Sequence, residues 1–544
     1  MTIQRKAVAT KKSLHRIFTI PEAPNSTLGR IEREISQNLA GFLNKNIVAT
    51  KNALTDIESD FASAQIPEQP SFVSDHMHHL LDKLVSQSVH TSNPSFIGHM
   101  TSALPYFLLP LTKLMVGLNQ NLVKVETSKA FTPLERQVLG MMHRLVYQAS
   151  DDFYQQWMHS ANHSLGAFCS GGTIANLTAL WVARNNLLSA SADGNFTGVA
   201  REGLHSAMCH YGYRGLVILV SERGHYSLKK SADVLGIGQQ NVIAIPTDEH
   251  NKIDCQQLAQ KCQQLTDANI KILAIVGVAG TTETGNVDPL QALADLAERY
   301  QCHFHVDAAW GGATLFSNKY RHLLSGIERA DSVTIDAHKQ MYVPMGAGLV
   351  IFKDPASVAA IEHHAEYILR KGSKDLGSHT LEGSRSGMAM LVYSSLHIIS
   401  RPGYEMLINE GIEKAKYFAL LISQHADFEL ITEPELCLLT YRFVPAAVQV
   451  FLANASHEQQ EIVNELLDQL TKFIQKRQRE NGLSFVSRTR IEVGRYQGTK
   501  CIVFRVVLAN PLTNKQILAD VLAEQVNLAA ESENILPQIM AYIK

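Results

Sequence analysis

The residues of this chain best suited to chemistry are one lysine, one aspartate and one serine-glycine turn. The lysine is Lys339, at the end of Ser332-Val-Thr-Ile-Asp-Ala-His-Lys339. The aspartate is Asp307, in His305-Val-Asp307-Ala-Ala-Trp310, and the turn is Ser170-Gly171-Gly172-Thr173. An amine withdrawn from water beside an anion is suited to forming an imine. A carboxylate against a pyridine nitrogen keeps that nitrogen protonated, so the ring can accept electrons. Glycines at a helix start let backbone amides and the helix dipole close around a phosphate. Together these are the demands of pyridoxal 5'-phosphate, which the chain is expected to bind.

Neighbouring residues complete the expected site. Ala309 is small enough for a ring to lie flat on it, and His225, in Arg223-Gly224-His225-Tyr226-Ser227, can stack on the opposite face. His338 lies beside the lysine. Thr282, in Gly280-Thr281-Thr282-Glu283-Thr284-Gly285, can orient the cofactor or a substrate carboxylate. The histidine clusters at His76, His78 and His79 and at His363 and His364 lack carboxylate or cysteine ligands at a recognisable spacing, so no metal is expected.

These residues need strand ends and helix starts to hold them. Apolar runs at Leu216–Val220, Val242–Ile245, Ile272–Val278, Phe304–Val306, Val333–Ile335 and Leu349–Phe352 read as strands. Helical patterns lie between several of them, as at Leu290–Tyr300, with Asp288 as its cap and Pro289 as its first residue. Alternation of this kind predicts an α/β fold with a mostly parallel sheet covered on both faces. Thr132-Pro133-Leu134-Glu135 predicts another helix start, by a capping threonine with glutamate three residues on. Beyond residue 390 a helix near 408–424, strands near 428–443, a long helix near 457–479, a strand at Cys501–Leu508 and a last helix near 513–530 predict a smaller α+β domain. The expected division is an N-terminal arm and helical dimerisation segment over 1–130, a large cofactor-binding domain over 131–390, and a small domain over 391–544.

With 49 basic and 51 acidic side chains in 544 residues, the net charge of −2 gives no reason to expect a nucleic-acid partner. The longest apolar run, Ile272–Gly280, is about half of the ~20 residues that span a bilayer, so no membrane segment is expected. Seven scattered cysteines without CxxC spacing fit reduced thiols in a cytoplasmic protein. The first twenty residues carry Arg5, Lys6, Lys11, Lys12 and Arg16 and read as a basic arm rather than a secretion signal.

In order along the chain, Asn93-Pro94-Ser95-Phe96, the helix start at Thr132, Ser170–Asn176, His225-Tyr226-Ser227, Gly280-Thr281-Thr282, Asp307-Ala308-Ala309-Trp310, His338-Lys339 and Ala509-Asn510-Pro511 resemble the group II pyridoxal-phosphate-dependent amino-acid decarboxylases. The resemblance implies a type I aminotransferase-like fold and a homodimer with shared active sites. It implies Lys339 as the Schiff-base lysine, Asp307 as partner of the pyridine nitrogen, His225 stacked on the ring, and Ser170 to Thr173 around the phosphate.

The chain departs from many relatives in one place. They carry a tyrosine on a loop after the lysine as proton donor, whereas Lys371–Arg385 contains none. His379 is the nearest candidate in that loop and Tyr367 lies just outside it, which leaves decarboxylation and oxidative deamination both open. Arg385, in Thr380-Leu-Glu-Gly-Ser-Arg385, is a candidate to pair with a substrate carboxylate, and His99 and Thr101 are candidates to bind an acidic side chain. The pattern is similar to a bacterial glutamate-decarboxylase-like branch that makes β-alanine for pantothenate by aspartate 1-decarboxylation. L-Aspartate is therefore the first expected substrate, ahead of L-glutamate, cysteine sulfinate and aromatic amino acids such as tyrosine. Transamination, lyase chemistry on the same fold, and an inactive scaffold are the rivals.

Overall fold

Each apolar run expected as a strand between residues 216 and 352 forms one in the structure, a computed structural model. It describes residues 48–364 and 372–544, with a few isolated positions between 33 and 41. The basic arm and Tyr367 lie outside the described residues.

The larger of two compact units spans Met100–Ala446 and Thr489–Pro511. Its first long helix is α1 (Phe131–Tyr147), followed by β1 (Gly166–Cys169), α2 (Gly172–Leu187), β2 (Gly215–Ser221), β3 (Val242–Ile245) and β4 (Ile270–Val278). Then come α3 (Leu290–Arg299), β5 (His303–Asp307), β6 (Ser332–Asp336), β7 (Gly348–Phe352) and α4 (Ser400–Gln424). The seven strands form one sheet in the order β1-β7-β6-β5-β4-β2-β3. The pairs of β2 with β3 and β4, of β4 with β5 and of β5 with β6 are parallel. β7 runs antiparallel to both β6 and β1.

β4 is buried from Ile272 to Val278, as a central strand covered on both faces must be. β1 had no place among the expected strands, because Gly-Ala-Phe-Cys is too short to show a period. A second sheet, ordered β10-β11-β9-β8, is built from β8 (Phe428–Thr432), β9 (Leu438–Phe443), β10 (Ser487–Val493) and β11 (Thr499–Val507).

Two expected helix starts differ in detail. α1 begins at Phe131 with no side-chain cap; the Thr132 hydroxyl pairs with Ser128 at 2.7 Å, and Glu135 is drawn into an ion pair described below. Asp288 does not cap α3. Its carboxylate accepts from Val278 N–H and Ile253 N–H, each at 2.9 Å, and burial pushes its pKa up to about 6.

The smaller unit comprises residues 1–99, 447–488 and 512–544, so the compact units do not follow the expected boundaries at 130 and 390. The reason is local. Val48 N–H donates to Gly482 O at 2.6 Å, Ile97 N–H donates to Phe485 O at 3.0 Å, and the Phe96 and Phe485 rings stack at 4.9 Å. These links stitch the N-terminal segment to the end of α5 (His457–Asn481), which starts with a Ser456–Gln459 capping box and stops at left-handed Gly482. α6 (Lys515–Ala530) starts on the Asn514 side chain and packs on α5. Among the described residues, no helix is long and apolar enough to cross a membrane.

Candidate active site

In a parallel sheet, ligands gather outside the carboxyl ends of the strands. The two reversals at β7 leave β1 pointing the same way as β6, so the turn after β1 reaches the edge where β4, β5 and β6 end. A cavity of about 390 Å³ lies there. Ser170, Gly171, Gly172 and Thr173 enter it from the β1 turn, His225 from beyond β2 and Thr282 from beyond β4. Asp307 and Ala309 come from the end of β5, and His338 and Lys339 from beyond β6. Every residue expected to touch the cofactor therefore lines one cavity.

Lys339 Nζ lies 3.0 Å from Asp336 Oδ2, and His338 Nε2 is 3.5 Å from the same oxygen. Asp336 is the last residue of β6 and is 3% exposed, and its Oδ1 has no hydrogen-bond partner. A buried carboxylate of this kind costs stability unless paired, so the ammonium beside it meets a physical need. The glycines are required by space. A Cβ on Gly172 would sit 2.8 Å from Asp336 Oδ2, and one on Gly348 would sit 2.6 Å from Gly171 Cα. Bare backbone at the start of α2, a lysine amine and a buried carboxylate at Asp307 fit the phosphate, aldehyde and ring nitrogen of pyridoxal phosphate.

Asn176, on the first turns of α2, joins two of these residues. Its Nδ2 donates to Asp307 Oδ2 at 2.8 Å and to Ser227 Oγ at 3.0 Å. Ser227 Oγ lies 2.9 Å from His225 Nδ1, which also accepts from Ser227 N–H at 3.3 Å. Nδ1 of His225 is therefore an acceptor, and its proton sits on Nε2. Burial lowers the pKa of His225, with Asp307 opposing, so the ring is held neutral.

The amide of Ser170 is already engaged. It donates to Glu382 Oε2 at 3.0 Å, which places a carboxylate on the phosphate turn. A phosphate dianion must compete with it. Removing one partly exposed like charge is worth roughly 1 kcal/mol. Glu382→Gln is expected to bind pyridoxal phosphate about fivefold more tightly, read as the dissociation constant in a fluorescence titration.

The remaining expected residues are placed elsewhere. Arg385 is not free for substrate: its guanidinium grips Glu135 with two bonds of 2.8 and 3.0 Å, and the two side chains are 7% and 1% exposed. His379 is buried off the cavity. It pairs with Ser378 at 2.9 Å, and desolvation pushes its pKa down to about 4, so near neutral pH it is a neutral imidazole rather than an acidic imidazolium. Thr101 is not on the cavity wall, whereas its neighbour Met100 is. His99 falls in the smaller unit, its ring tilted against Phe96 at 6.5 Å.

Asp336, Asn176 and Arg223 line the cavity without having been singled out. Asp336 had a signal, lying three residues before Lys339 at the end of an apolar strand. Arg223 Nη2 meets Asn251 Oδ1 at 3.3 Å, while its buried Nε has no partner. Arg505, on β11, braces the Thr282 turn by donating from Nε to Thr282 O at 2.6 Å, and burial lowers its pKa to about 10.

Comparison with known proteins accords with this geometry. Residues 58–444 match the family described as the pyridoxal-dependent decarboxylase conserved domain. Over 537 residues the chain is 68% identical to an aspartate 1-decarboxylase of Aliivibrio fischeri, covering 99% of this chain and 98% of that protein. An L-2,4-diaminobutyrate decarboxylase of Acinetobacter baumannii is 25% identical, with 93% and 94% covered. Among solved structures, mouse CSAD shares the fold with a TM-score of 0.80 at 23% identity, over 93% of this chain and 99% of that one.

Proposed function

The chain belongs to the pyridoxal-dependent decarboxylase family, a pyridoxal-phosphate-dependent amino-acid decarboxylase, and from that premise we propose that its substrate is L-aspartate, converted to β-alanine and carbon dioxide. The observation that carries this reading is the likeness, over nearly the whole of both chains, to an aspartate 1-decarboxylase. The family resemblance also supports a homodimer with shared active sites, a cytoplasmic location and β-alanine supply for pantothenate.

Bound pyridoxal phosphate supplies an electron-accepting ring for the pair left when carbon dioxide departs. Amides of Ser170 to Thr173 hold the phosphate once Glu382 yields. Asp307, aimed by Asn176, keeps a proton at the ring nitrogen. His225 and Ala309, which line the same cavity, would cover the ring faces and exclude water from them. Lys339 anchors the cofactor. With its amine free, Asp336 Oδ2 would hold the Lys339 ammonium, which would make Lys339 Nζ the proton source at the α-carbon. That role was expected of His379, but a neutral histidine off the cavity is poorly suited to it. Arg223, a cation on the cavity wall, would take the substrate's side-chain carboxylate in place of Arg385.

The test is carbon dioxide release from purified protein with pyridoxal phosphate, offered L-aspartate, L-glutamate, cysteine sulfinate, 2,4-diaminobutyrate and tyrosine separately. Release from aspartate with matching β-alanine is expected, and a different winner would discard the aspartate assignment. Ammonia without carbon dioxide would indicate oxidative deamination. In the same assay Arg223→Leu is expected to raise KM for aspartate about tenfold to a hundredfold, the worth of one hydrogen bond to a charged group.

A further inference from the structure

Alternation along β5 puts His303, His305 and Asp307 on one face and Phe304 and Val306 on the other. Phe304 and Val306 enter the apolar core, so the polar face is the one turned toward α2 and its Asn176. His305 is 0% exposed and His303 keeps 15% of its side chain in solvent. Burying imidazoles is costly unless each polar atom is matched. Here both nitrogens of His305 and Nε2 of His303 are matched, because His305 of β5 pairs with Ser332 of β6.

The contacts form a continuous chain. His303 Nε2 lies 2.7 Å from Ser332 Oγ, and Ser332 Oγ lies 2.8 Å from His305 Nδ1. His305 Nε2 lies 3.0 Å from Asn176 Oδ1, and Asn176 Nδ2 lies 2.8 Å from Asp307 Oδ2. The direction of each bond follows. Asn176 uses both N–H groups on Asp307 and Ser227, so its Oδ1 must accept, and His305 Nε2 must carry the proton. Desolvation pushes His305 down to about 4, against Asp307, so it is neutral and its Nδ1 must accept from Ser332 Oγ–H. Ser332 Oγ then accepts from His303 Nε2–H. His303, lowered by burial and opposed by Asp331, keeps its Nδ1 3.9 Å from the Asp331 carboxylate. Every donor points toward Asp307. Replacing one member by an apolar residue of similar size breaks the chain without opening a cavity.

We propose that His303 and Ser332, away from the cavity, are positioning residues for the decarboxylation: through His305 and Asn176 they fix the direction in which Asp307 and His225 face the cofactor ring. This rests on the reading of Asp307 as the partner of the ring nitrogen. Nothing in the packing alone requires polar side chains at these positions. Aliphatic or aromatic residues would serve the sheet as well, and buried polar sets are often replaceable by apolar ones without loss of stability.

The test uses the full-length holoenzyme with Ser332→Ala and His303→Phe, with Asp307→Asn as control for the parent reading. Melting temperature, kcat and KM for aspartate, and the pH titration of the bound cofactor's visible absorbance are measured for each. Ser332→Ala and His303→Phe are expected to lower kcat about tenfold with KM within twofold, and to move the midpoint of the absorbance titration, while the orphaned buried partners lower the melting temperature by a few degrees without unfolding the protein at the assay temperature. His303→Gln and Ser332→Thr, which keep a donor and a hydroxyl in place, are expected to restore both and also serve if an apolar variant does not fold. If Asp307→Asn moves the absorbance titration while Ser332→Ala and His303→Phe match wild type, the relay is refuted and the reading of Asp307 stands. If Asp307→Asn leaves the absorbance unmoved, the parent reading fails and the proposal fails with it.

Discussion

A chain carrying Lys339→Ala is expected to bind pyridoxal phosphate without holding it covalently, and to release carbon dioxide on the order of 10⁴-fold more slowly or less. On the proposed reading the amine has two jobs that no neighbour shares: it would anchor the cofactor, and in its freed, Asp336-paired form it would return a proton. The measurement pairs carbon dioxide release with mass spectrometry after borohydride reduction. Wild type is expected to carry the reduced cofactor on the peptide containing Lys339, and the variant on no peptide. Covalent label on a different lysine in wild type would move the catalytic centre elsewhere.

The second large effect concerns the fold. Glu135 and Arg385 come from distant parts of the chain and meet almost out of water through a two-pronged contact. Taking away one member leaves the other charge buried and unpaired, a change that typically costs about 3–5 kcal/mol. Glu135→Ala is therefore expected to lower the melting temperature by several degrees and to shorten the half-life on heating. KM for aspartate in the folded fraction should stay near wild type. Had Arg385 bound substrate directly, Arg385→Ala would raise KM steeply at unchanged thermal stability, so the pair of variants separates the two roles.

Much of this was readable from the sequence because the chemistry is local to strand ends. Asp307 and Lys339 each follow an apolar run, the phosphate turn announces itself by glycines, and all of them reach one cavity. Arg385 and His379 were misplaced for a common reason. Residue type says that a guanidinium can bind a carboxylate, but not that Glu135, some 250 residues earlier, already does. Likewise, His379 looks like a general acid until burial is seen to disfavour its imidazolium form. Spacing makes Asp288 a helix cap and Glu135 the glutamate of a capping box, whereas long-range backbone donors and a long-range cation take them. β10 was missed because Ser-Arg-Thr-Arg-Ile-Glu-Val is a charged edge strand without an apolar run. The polar face of β5 was legible in His-Phe-His-Val-Asp, but only the period-2 pairing with Ser332 reveals why both histidines lie inside.

The sheet order also sets when the enzyme can become functional during synthesis. β1 lies at one edge and bonds only to β7, so the strand before the phosphate turn has no partner in the sheet until β7, ending at residue 352, has been made. Lys339 and Asp307 are themselves brought side by side only by the parallel pairing of β5 and β6, a long-range contact that forms slowly. A growing chain thus exposes Ser170–Thr173 long before it can grip a phosphate. Capture of the cofactor is consequently a late event, following closure of the sheet. From then on free pyridoxal phosphate deepens the native state by mass action, so the melting temperature is expected to rise with its concentration.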